Sequence, residues 1–172
     1  MATQPGAALA SGVSFDEMLQ HNEEETERWR AFFRAHPQAL DVKVEMAQMK
    51  DVRGAVQHVF VVELLYAEVM AGTKRAQIRW EDFPASTQKE LFSHHDRAVE
   101  LMRRVLHDPD VRWDEALTFG NRDFTVTATR RKMFLHAALH GMRHWAQVAM
   151  VLRQNGHKQD WQHDFIFSKV ME

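Results

Sequence analysis

The chain has 172 residues, 45% hydrophobic and 27% charged, the composition of a soluble folded protein about one domain in size. Twenty-two Lys and Arg against 24 Asp and Glu leave a net charge of −2, so no global field draws it to nucleic acid or an anionic membrane. The absence of cysteine excludes disulfide scaffolds, thiolate zinc sites, iron–sulfur clusters and a cysteine nucleophile.

Residues 1–13 are small and turn-prone, with neither a basic start nor a strong apolar run, and read as a disordered leader. Residues 14–172 read as a single domain. Ser14 with Glu17 three residues on predicts a capping box and a first helix that ends at His36-Pro37. Phe15, Met18, Leu19, Trp29, Phe32 and Phe33 follow helical spacing along it. Asn22, Glu25 and Thr26 interrupt that apolar stripe, and read either as cavity-lining residues or as a kinked, solvated stretch. A second helix is predicted from about Val44 to Ala71, closed by Gly72. Its apolar run is too short and too polar to span a bilayer, which makes a cytoplasmic protein the expectation.

A third helix opens at Thr87, with Glu90 at N3, and runs to about His107 before Asp108-Pro109. The segment from Val111 to Ala128 is different. Phe124, Val126 and Ala128 alternate with threonines after Gly120-Asn121, the pattern of a short extended piece or hairpin. A fourth helix runs from about Thr129 to Gln154 and stops at Asn155-Gly156. The tail, with Phe165, Ile166 and Phe167, is expected to pack back as a short helix. Four such helices around one core read as an all-α four-helix bundle, with a long crossover before the last helix.

The chemistry gathers on the fourth helix. His140 and His144 are four residues apart, about 40° round the helix, and therefore lie one above the other. His136 and Gln147 share their stripe. The opposite flank is apolar, through Leu135, Ala138, Leu139, Met142, Trp145, Ala149 and Leu152, so the histidine face looks into something polar inside the bundle. Two imidazoles at this spacing reach one ion about 2 Å from each ring nitrogen. The third candidate is His58, which shares a core-facing stripe with Val62, Leu65 and Val69 on the second helix. Three imidazoles from two helices make a neutral set with one position open to water or substrate.

The run from His140 through Gly141, Met142, Arg143, His144, Trp145 and Ala146 to Gln147 resembles the last-helix signature of the DinB/YfiT-like proteins. His136 precedes it, and the stretch from Val151 to Gly156 follows. The resemblance extends over nearly the whole folded chain and implies an up-down-down-up bundle, usually homodimeric. It implies a divalent ion on His58, His140 and His144, with water at the open position. One departure is Trp145, where the family commonly has Arg. Another is His136, which has the same spacing to His140 that His140 has to His144 and could compete as a ligand. Imidazole ligands suit zinc or nickel, with iron and copper as alternatives.

Around that set, Gln147, His136, Tyr66 and Asn22 are candidates for the surrounding shell or pocket; no catalytic residue is assigned. Glu63 lies about 140° round the helix from His58 and calls for a partner of its own. His94 and His95 read as a solvated face. No HExxH or ExxH occurs, nor a phosphate-binding glycine loop or GxSxG elbow. The resemblance implies a metal-dependent thiol S-transferase-like enzyme with a small-molecule thiol substrate. Two alternatives stay open: a metal-dependent hydrolase, and a non-catalytic metal- or ligand-binding stress-response protein.

Overall fold

The computed structural model describes residues 12–46, 49–73, 80–120 and 125–170. Ser14 caps α1 (Phe15–Ala35) as predicted: its hydroxyl accepts from Glu17 N–H at 3.2 Å, and Glu17 Oε2 accepts from Ser14 N–H at 2.6 Å. After a 3-10 turn at Pro37–Asp41 the chain forms a short antiparallel pair, β1 (Lys43–Met46) and β2 (Met49–Asp51). The second helix, α2 (Val52–Met70), therefore starts eight residues later than the sequence suggested. The reason is local. Asp51 is a strong N-cap whose carboxylate accepts from Gly54 N–H at 2.9 Å, and Val44 enters the core from an extended strand.

The third helix, α3 (Gln88–His107), begins with the predicted Thr87–Glu90 capping box. The 111–128 crossover is a hairpin: β3 (Ala116–Gly120) pairs with β4 (Thr125–Thr129) in register, while Asn121 and Phe124 lie outside the described residues. The last helix, α4 (Arg130–Gln154), follows directly, with the Thr129 hydroxyl accepting from Lys132 N–H. Both α2 and α4 end in Schellman closures. Gly72 and Gly156 take positive φ (80° and 83°) while Thr73 and His157 donate back to Glu68 O and Leu152 O at 2.8 Å.

The fold is all-α in character. α2 packs on α3 and α4, and α1 packs on the same two helices, so α1 and α2 face each other across the diagonal. Apolar residues divide into two clusters. One holds Trp29, Phe33, Phe60, Phe92 and Trp145; the other holds Leu19, Leu64, Met102, Met133 and Phe134. On α1, α3 and α4 the changeover falls at a polar residue or a glycine, Asn22, His95 and Gly141; on α2 it falls between Phe60 and Val61, just before Glu63.

The tail packs back on α1 as expected, with Phe165 against His21 at 4.8 Å and Ser168 and Val170 buried. Only a 3-10 turn forms, at Phe165–Phe167, and Ile166 and Phe167 stay exposed. Trp161 and His163 dock as well. Both rings pack on Trp29, with centroids at 5.1 and 5.4 Å, and both donate to the buried Glu25 carboxylate. The buried aromatic platform of α1 holds the tail more strongly than helical hydrogen bonds could over three residues.

Candidate metal centre

Packing of α2 against α4 brings His58 over the His140–His144 pair. Ring centroids lie 5.0 Å from His58 to each of the other two, and 4.4 Å between His140 and His144. One nitrogen from each ring lies within 4.8 Å of the other two. His140 Nε2 and His144 Nε2 are 3.2 Å apart. Two nitrogens bound tetrahedrally to one zinc at its usual bond length are about 3.3 Å apart, so this pair already has the spacing of ligands.

Protonation favours the same reading. Burial, then the neighbouring His144 and Arg143, push the His58 pKa down to about 4. Burial and the other rings take His140 down to about 3. His144 is lowered by burial and by Arg143, against an opposing pull from Gln147. All three rings are therefore neutral at physiological pH and offer lone pairs rather than charges, which is the state a metal requires. The donor set fits a divalent transition metal.

The chain matches the family model of the DinB family over residues 9–169. It belongs to the DinB family. Among curated proteins no relative matches the chain. For this DinB-family chain, the three-histidine cluster is compatible with a divalent-metal site, and its two helices are those the sequence indicated.

The other residues singled out in the sequence fall in three places. His136 is exposed, one turn before His140 and outside the cluster, and its ring faces Tyr66 at 5.0 Å. Tyr66 is wedged between His136 and Phe119 of β3, and burial raises its pKa, so it remains a phenol that donates a proton. Gln147 favours the protonated form of His144, although Gln147 Oε1 and His144 Nδ1 are both buried without a well-aligned hydrogen bond. Asn22 does not touch the cluster. Its amide donates to Glu63 at 2.5 Å, and its Oδ1 abuts Gly141, between the two α4 histidines.

Three features escaped the sequence reading. Trp80, in a 3-10 turn at Trp80–Asp82, sets its ring 6.1 Å from His58; a loop aromatic far in sequence from the motif carried no signal. Arg143 places Nη2 3.2 Å from His144 Nε2. His94 and His95 are buried, not solvated. His94 Nε2 lies 2.8 Å from Pro84 O, and His95 Nδ1 meets Glu63 Oε2 at 2.7 Å. The spacing of His95 with Leu91, Ala98 and Met102 was the available sign, since that stripe is the buried face of α3.

Proposed function

We propose that this chain is a mononuclear metalloprotein that holds zinc or nickel on His58, His140 and His144 and acts as a metal-dependent thiol S-transferase. The observation that carries the reading is the convergence of three neutral imidazoles, from two helices, on a common point. A bound divalent ion would supply Lewis acidity, stabilising the deprotonated form of a thiol at its open position at neutral pH.

The chain's own residues orient and protonate. Gln147 Oε1 and His144 Nδ1 are both buried without a hydrogen-bond partner, and in this reading the amide carbonyl takes up Nδ1–H when the ion binds, leaving Nε2 as the ligand nitrogen. Trp80, itself half-exposed, sets its ring beside His58 at the solvent side of the cluster. Tyr66 and His136 lie ring against ring beside His140, with centroids 5.0 Å apart: a phenol whose pKa burial raises next to an imidazole whose pKa is lowered. In this reading they are the nearest groups able to give and take the proton that thiol transfer moves.

We further infer that the protein is a homodimer. Leu139, Met142 and Met150 are exposed on one stripe of α4, an apolar face that a second copy would cover.

The test is elemental mass spectrometry of untagged protein purified without chelator and reloaded with zinc or nickel. One ion per chain in wild type, sharply reduced in His58→Ala and in His144→Ala, is the expected result. A wild type that stays empty would overturn the metal reading. Loaded protein that hydrolyses substrates without consuming thiol would replace the transferase with a hydrolase, and loaded protein with no turnover would leave a binding protein.

A further inference from the structure

Arg143 Nη2 lies 3.2 Å from His144 Nε2, the same nitrogen that faces His140 Nε2 at 3.2 Å. The guanidinium thus reaches the inner side of the histidine cluster from an exposed position on α4. It has no carboxylate partner among the described residues; its single hydrogen-bond contact there is that imidazole nitrogen. A neutral imidazole has one acceptor nitrogen. Once that lone pair is given to an ion, the guanidinium N–H groups beside it are released to take another acceptor.

The charges around the cluster point the same way. Arg143 acts on all four rings of the stripe, His58, His136, His140 and His144, and Lys132 adds to it at His136. No carboxylate among the described residues acts on any of them. Three neutral imidazoles around a dication carry two positive charges, and Arg143 makes a third. Positive charge concentrated in a half-buried site is expensive unless an anion neutralises it. The planar guanidinium fork is suited to a carboxylate, which it grips through two parallel hydrogen bonds.

We propose that Arg143 determines the specificity of this site by selecting an anionic thiol, its carboxylate on the guanidinium and its sulfur directed to the histidine cluster. This rests on the metal and thiol reading above and names the substrate class for the same site.

The experiment is isothermal titration of zinc-loaded protein with two thiols of equal chain length, 3-mercaptopropionate and the neutral 3-mercaptopropionamide, with zinc content measured before and after. The wild type should bind the carboxylate-bearing thiol roughly tenfold or more tightly than the neutral one. In Arg143→Met the advantage should fall to about twofold or less, with the neutral thiol unchanged, and Arg143→Lys should restore part of it. Equal affinities in the zinc-loaded wild type, or an advantage that survives Arg143→Met, would overturn the proposal and leave the metal site standing. A wild type that takes up no zinc would overturn the metal reading and the proposal together. Zinc-loaded wild type that binds neither thiol would refute the thiol chemistry but not the metal.

Discussion

Asn22 of α1 and Glu63 of α2 meet across the diagonal of the bundle, joined by a 2.5 Å hydrogen bond in the middle of the core. His95 of α3 completes the contact from the third helix by pairing with the other Glu63 oxygen, and Gly141 of α4 closes it from the fourth. A buried carboxylate is tolerable only when its lone pairs are satisfied, and here two helices supply the partners. The layer lies between the two apolar clusters, at the level of the α4 histidines. It sets the approach of all four helices where the site is built.

The Glu63–His95 pair makes stability depend on pH in a defined direction. Burial alone would lower the His95 pKa, but the Glu63 charge and hydrogen bond outweigh it and leave the value raised. Its contribution is therefore complete below the unfolded value of about 6.5 and is lost as pH rises through the folded value. Urea midpoints measured between pH 5.5 and pH 9 should fall with rising pH in wild type more steeply than in His95→Gln. A parallel fall in both would mean that the pair is not the titrating element. His95→Leu, which strands the buried carboxylate, should cost about 3 kcal/mol or more.

Gly141 offers a test of the same layer. An alanine inside a helix is ordinarily favoured over glycine by about 1 kcal/mol. At this position the added Cβ would meet Asn22 Oδ1 at 3.3 Å, and Asn22 is pinned by Glu63. Gly141→Ala should therefore lower the melting temperature. In an Asn22→Ala background the same substitution should raise it, a coupling that a double-mutant cycle measures.

Metal affinity should resist mild acid. His58 and His140 lose their lone pairs to protons only near pH 4 and pH 3. Competition titrations against a chelator of known affinity should then show a nearly constant zinc dissociation constant from pH 7.5 to about pH 5.5, after correction for the chelator. An unperturbed histidine pair would begin to lose affinity near its ordinary pKa of about 6.5. A steep loss beginning there would show that the rings are more solvated than their packing indicates.

The apolar stripe on α4 predicts that Leu139→Glu or Met150→Glu shifts the protein from dimer to monomer in light scattering after gel filtration, with the helical circular-dichroism signal retained. A wild type that is already monomeric at tens of micromolar would refute the dimer.

The reach of the sequence followed the range of the forces involved. Helix starts at Ser14 and Thr87, and the stops at Gly72 and Gly156, were legible because caps are made within four residues. The pairing of His140 with His144 was legible for the same reason, being a consequence of helical pitch. His58 required only a stripe on its own helix and a resemblance to a family whose bundle faces it toward α4. The start of α2 was misplaced because Val44 fits a helical stripe as well as a strand, and the packing of a two-strand pair over the core decided between them.

By itself, then, the sequence determined the four helices, the ends set by local caps and the histidine stripe, all consequences of spacing and side-chain type. Only the tertiary structure decided which partner each buried polar group would take. Glu63 calls for a partner in any fold, but that its partners are Asn22 and His95, 41 and 32 residues away, depends on how three helices cross. The same holds for Trp80 against His58 and for the tail rings on Trp29. These contacts are made by through-space desolvation and hydrogen bonding between distant segments, and local spacing carries no record of which segments will meet.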